Sequence, residues 1–107
     1  MTAHEAEDKL QLLLEDARRG VPRAQRHLAN RYLRGDGVPQ DVTEGVCWLR
    51  RAAAQGLATA QRSLGELLEE GVVVARNLEE AVQWYRRAAA QGDPFARQHL
   101  QRLGVNS

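Results

Sequence analysis

The side chains in this sequence that could do chemistry are few: three histidines, one cysteine and the repeated arginine pairs at 50–51 and 86–87. His27 and His99 invite a metal reading, because imidazole is a common zinc ligand. They occupy the same position of an internal repeat, two copies apart, with Ser63 between them. Equivalent positions two copies apart are separated by several helix diameters of about 10 Å each, too far to share an ion. Both histidines therefore read as polar side chains flanking a core, and His4 lies near the N-terminal end. Cys47 shares a helical stripe with Thr43, Arg50 and Arg51, and neighbouring cations lower a thiol pKa. No histidine stands near it in the sequence to act as its base, so it reads as a surface thiol. Phosphate loops, dinucleotide loops and paired catalytic carboxylates are absent. The expectation is a non-enzymatic chain with no cofactor and no metal.

The arginine pairs, Arg50 with Arg51 and Arg86 with Arg87, raise a nucleic-acid alternative, since aligned pairs would make a basic ridge on the outer surface. Against it, cations late in a helix favour the negative end of the helix dipole for purely local reasons. Glu79, Glu80 and Asp93 sit close by, and Trp48 and Trp84 are needed in the core rather than as exposed stacking platforms.

The elements that carry these side chains come from the repeat. Residues 48 to 56 read WLRRAAAQG and residues 84 to 92 read WYRRAAAQG; aligning Ala24 to Thr59 with Ala60 to Phe95 gives 16 identities in 36 positions without a gap. A fixed period of that length marks a stacked-repeat architecture. A third partial copy begins at Ala96, and Leu13, Ala17 and Gly20 fit the end of a copy before the first. The order is a capping half-repeat over residues 1–20, repeats over 24–59 and 60–95, and a closing half-repeat over 96–107, in one domain.

Each whole repeat reads as two antiparallel helices, about six in all with the halves. In the first repeat Ala24, Leu28 and Tyr32 form one apolar stripe ending at Gly35, and the loop GDGVPQD has the chemistry of a tight connection. Asp41 with Glu44 is an acidic variant of the capping box, and Val42, Gly45, Val46, Leu49, Ala52 and Ala53 make the next apolar face before Gly56. Asn77, Glu80, Ala81, Val82, Tyr85, Ala88, Ala89 and Gly92 repeat the plan. Thr2 with Glu5 and Asp93 with Pro94 suit the starts of the first and last helices. The expected core is Leu28, Tyr32, Trp48, Leu49, Ala53, Leu64, Trp84, Tyr85, Ala89 and Leu100, with the alanine triplets 52–54 and 88–90 letting backbones approach closely.

Composition agrees with a folded, water-exposed chain: 43% hydrophobic, 27% charged, net charge +1. No apolar run approaches the roughly 20 residues of a membrane helix, and the N-terminus lacks a signal-peptide pattern. A lone cysteine suits a reducing compartment. The expectation is a cytoplasmic, bacterial protein without a membrane partner. Fourteen arginines against one lysine reflect base composition and carry no mechanism.

The stretch Ala60 to Gly92, with AQRSLG, a loop glycine and EEAVQWYRRAAAQG, resembles the Sel1-like repeat family, a relative of the tetratricopeptide repeat. Ala29, Leu49, Leu68 and Val73 depart from the family pattern at positions it fills with glycine, tyrosine, an aromatic residue and a loop glycine. The resemblance implies a right-handed α-solenoid and a protein-interaction adaptor that binds a protein or peptide, with no catalytic residue. It also implies that the first helix of each pair lines a concave groove. The off-core positions there are Arg23, Arg26, Asn30, Leu33 and Arg34, then Thr59, Arg62, Glu66, Glu69 and Glu70, then Phe95, Gln98 and Arg102. That groove is basic at one side and acidic in the middle, which suits a peptide of mixed charge. Two readings of the C-terminal end stay open: weak self-association through Phe95, Leu100, Leu103 and the valine run 72–74, or a monomer whose tail GVNS folds back over the end.

Overall fold

Helix-starting side chains act where the sequence places them. The structure, a computed structural model, describes residues 2–105. Thr2 Oγ1 accepts from the Glu5 amide at 3.2 Å, Asp41 Oδ1 from Glu44 at 3.0 Å, Asn77 Oδ1 from Glu80 at 3.0 Å and Asp93 Oδ1 from Ala96 at 2.8 Å. Each bond satisfies one of the amides that a helix start leaves unpaired. The helices are α1 (Ala3–Arg18), α2 (Pro22–Arg34), α3 (Val42–Ala54), α4 (Ala58–Glu70), α5 (Leu78–Ala90) and α6 (Pro94–Arg102). Gly35 and Gly71 close α2 and α4 at φ 73° and 70°, the left-handed region where a side chain is strained. The described residues are all-α, as the repeat reading requires.

The chain divides into two compact units, Met1–Ala52 and Ala53–Ser107, with the boundary in the last turn of α3. In the first, Ala17, Ala24, Leu28, Ala29, Trp48, Leu49 and Ala52 are buried; in the second, Ala53, Ala60, Leu64, Leu68, Ala81, Tyr85, Ala88, Ala89, Ala96 and Leu100 are. Each core holds one buried glutamine that ties a helix to the end of the helix before it. Gln25 Nε2 donates to the Ala17 carbonyl at 3.1 Å, and Gln61 Nε2 donates to the Ala53 carbonyl at 3.1 Å. Each carbonyl belongs to the last turn of a helix, where acceptors would otherwise be half-used. The bonds are the same joint made twice.

The two units solve one packing problem in opposite ways. In the first, a methyl on Gly45 of α3 would stand 2.8 Å from Leu33 Cγ, so Gly45 makes room for Leu33 of α2. In the second, a methyl on Gly65 of α4 would stand 2.6 Å from Tyr85 Cε1, so Gly65 makes room for Tyr85 of α5. The counterparts are Ala81 for Gly45, Ala29 for Gly65 and Leu49 for Tyr85. Ala29 and Leu49 are thus a matched substitution: the smaller leucine leaves space for the alanine methyl.

Five expectations need correction. Leu33 is half-buried between α2 and α3 rather than offered to a groove, because the missing Cβ of Gly45 draws it inward. Trp84 is half-buried, unlike Trp48 at 8% exposure, although each indole N–H donates to a glutamate one turn back and each ring lies under an arginine. Tyr32 is half-buried where its smaller counterpart Leu68 is 3% exposed, in keeping with a phenol that holds its hydroxyl near water. The third alanine of each triplet, Ala54 and Ala90, faces solvent, since three consecutive helical residues cannot share one stripe. Leu100 is 1% exposed and contributes nothing to a C-terminal patch, whereas Phe95 and Val72 remain 54% and 82% exposed. The last two residues of the tail GVNS lie outside the described residues.

Candidate functional site

In the second unit, three pairs of side chains tie α4 to α6, each pair 33 residues apart. Arg62 lies over the Phe95 ring at 5.0 Å, Glu66 Oε2 meets His99 Nε2 at 2.9 Å, and Glu69 Oε1 meets Arg102 Nη2 at 2.8 Å. A separation of one repeat less one turn recurs because α6 lies beside α4 and both advance by turns of 3.6 residues. Helix α5 closes the cluster from beneath. The Tyr85 hydroxyl donates to the same Glu69 Oε1 at 2.7 Å, and the Tyr85 and His99 rings stack with centroids 4.7 Å apart.

His99 bridges α4 to Arg102: its Nε2 lies 2.9 Å from Glu66 Oε2 and its Nδ1 3.1 Å from Nη2 of Arg102, a side chain that has only donors. The Arg102 hydrogen bond, against the opposing effect of burial and with help from Tyr85, holds the Glu69 carboxyl below its usual range. Burial, followed by the bond to Glu69, pushes the Tyr85 phenol far above the ordinary tyrosine range. Arg102 is raised in turn by its bond to Glu69. Arg62 stands 3.6 Å from both Glu66 and Asp93, beyond hydrogen-bond range but within ion-pair range. Asp93 is the cap of α6, so Arg62 also steadies that helix start.

The acidic middle of the expected groove is therefore already in use: Glu66 and Glu69 hold α6, while Glu70 is exposed. Of the remaining second-unit positions, Phe95 and Gln98 are exposed and Arg62 is half-buried. In the first unit Arg23 and Arg34 are exposed, and Arg26 and Asn30 are half-buried. His99, Tyr85 and Asp93 were not assigned to a site from the sequence. The available signal was the 33-residue spacing of Glu66 to His99 and Glu69 to Arg102, visible only once α4 and α6 are known to be neighbours.

The outer arginines do not form a free ridge. Arg51 lies over Trp48 at 4.6 Å and Arg87 over Trp84 at 4.8 Å, each folded onto its own helix. Arg86 borders a shallow depression on α5 with Leu78, Glu79, Val82 and Gln83. Cys47 is exposed. Among the described residues no three histidine, cysteine or carboxylate side chains are placed to hold a metal, and no helix is long and apolar enough to cross a membrane.

Sequence and structure comparisons agree with this architecture. The model of the Sel1 repeat family matches residues 22–57 and 58–93. A Sel1 repeat protein from Oxalobacter formigenes superposes with a TM-score of 0.84 at 40% identity, over 88% of this chain and 71% of that one. A protective antigen present in uropathogenic Escherichia coli strains, c5321, which displays an SLR fold, superposes with a TM-score of 0.81 at 37% identity, over 85% of this chain. This chain spans only a fifth of the length of that antigen. No curated protein sequence matches. With two consecutive repeats matched and an all-α solenoid fold shared at this identity, the chain belongs to the Sel1 repeat family.

Proposed function

We propose that this chain, as a member of a family of protein-interaction scaffolds, is a non-enzymatic adaptor that holds a protein partner on the outward faces of the first helices of its repeats. The observation that carries this reading is how the two copies differ. They are identical where the joints are made, at Ala24 and Ala60, Gln25 and Gln61, Leu28 and Leu64, and Ala52 and Ala88, all buried. They diverge off the buried stripe, with Arg23 against Thr59, His27 against Ser63, and Arg34 against Glu70. A frame that repeats while its surface varies is the arrangement a recognition module needs.

Affinity capture from native extract tests the reading. A variant altered on the first helices (Arg23→Glu, Arg34→Glu, Phe95→Ala, Gln98→Ala) is compared with one altered on the solvent side of α5 (Glu79→Ala, Gln83→Ala). Loss of the captured protein with the first set alone supports the proposal. Capture that survives the first set, or is lost equally with the second, rejects it.

A further inference from the structure

The first helices of the two units, α2 and α4, differ in how their charges are satisfied. Helix α4 carries Arg62 with Glu66, Glu69 and Glu70, and all but Glu70 have charged partners within the second unit. Helix α2 carries Arg23, Arg26, Arg31 and Arg34 with His27 and no carboxylate at all. Among the described residues, none of these four arginines has an ion-pair partner. The Nε atoms of Arg26 and Arg31, like that of Arg62 on α4, are shielded from solvent without a hydrogen-bond acceptor.

The placement of the cations matters as much as their number. Ala24, Gln25, Leu28 and Ala29 are the buried side of α2. At 100° per residue, Arg23, Arg26, His27, Asn30 and Arg34 fall on the opposite side, and Arg31 at its edge. Arg23 to Arg34 covers three turns, about 16 Å. The helix dipole accounts for Arg31 and Arg34 in the last turn, but it opposes Arg23 in the first turn, where α2 also lacks a side-chain cap. Local energetics alone does not select an arginine there.

We infer that the solvent face of α2 binds an acidic segment of a partner protein, with several carboxylates spread over about 16 Å. This rests on the adaptor reading and names the chemistry of its partner. A protein acid is favoured over nucleic acid because the chain's net charge is only +1, and because the exposed large apolar side chain on α2's approach, Val21, is no stacking platform for bases.

The test is fluorescence anisotropy with the full chain and a labelled peptide alternating glutamate and serine, with the lysine version as control and random single-stranded DNA as competitor. The glutamate peptide is expected to bind and the lysine peptide not. Arg23→Gln with Arg34→Gln is expected to weaken binding about tenfold, while Arg50→Gln with Arg86→Gln, an equal loss of charge, leaves it within about twofold. Both variants should melt with the parent, since all four positions are exposed. No binding of the glutamate peptide, or equal weakening by the two variants, overturns the inference. Displacement by DNA at lower concentration than by unlabelled peptide overturns it in favour of nucleic acid. If extract capture still depends on the first-helix residues while the peptide fails, the acidic partner is wrong and the adaptor reading stands.

Discussion

Replacing Gly65 with alanine should destabilise the second unit, and shortening Tyr85 should rescue it. An alanine Cβ would stand 2.6 Å from Tyr85 Cε1, 2.8 Å from Cδ1 and 3.2 Å from the Ala81 carbonyl, against about 3.5–4.0 Å for unstrained carbon contacts. The ring cannot swing away: it is fully buried, its hydroxyl is bonded to Glu69 and His99 stacks on its face. Overpacking of this kind costs about 3 kcal/mol at the upper end of its range, and the helix preference of alanine over glycine returns about 1. Gly65→Ala should thus lose about 2 kcal/mol. Tyr85→Leu should lose about 3 through ring volume and the Glu69 bond, with Glu69 still held by Arg102. If the clash is the cause, the double variant, which recreates Ala29 beside Leu49, should lose only about 2 kcal/mol where additivity requires about 5. Urea denaturation of the four proteins, followed by far-ultraviolet circular dichroism, measures the coupling. Additivity within about 0.5 kcal/mol would show that the ring does not fix the glycine and would refute the matched-substitution account.

Three further outcomes follow from single contacts. Gln25→Ala and Gln61→Ala should each cost about 1–2 kcal/mol, because each leaves a helix-end carbonyl short of a buried partner; denaturation showing only one of them to matter would mean the joints are not equivalent. Trp48→Ala should cost about 3–5 kcal/mol and half-buried Trp84→Ala distinctly less, about 1–3; equal losses in thermal melts would contradict the burial difference. For pH, the Glu69 carboxyl is depressed below its ordinary value of 4.5. Its contribution is therefore complete above pH 4.5 and is lost as pH falls through the lower folded value. Glu69→Gln should flatten that part of the stability profile in acid titrations, and an unchanged acid limb would count against the Arg102 and Tyr85 bonds.

The repeat, the helix count and the helix ends were legible in the sequence because they depend on neighbours in the chain. Thr2, Asp41, Asn77 and Asp93 reach an amide three residues on, and Gly35 and Gly71 turn their own backbone. Such geometry needs no knowledge of what packs beside the helix. Much of the candidate site was hidden for the opposite reason. Leu33 was assigned to the outward face by helical spacing, yet whether it points out or in turns on the size of the residue it meets on α3, which is Gly45. Gln40 and Arg76 differ at one repeat position but do the same work, donating to the carbonyls of Leu33 and Glu69 at 2.8 and 3.0 Å. The acidic run of α4 read as an open surface until α6 was beside it, because pairing across 33 residues is set by the distance and rotation between helices. Sequence by itself determined the frame and the list of charges; tertiary structure decided which charges are satisfied, since a Coulomb interaction depends on separation in space and not along the chain.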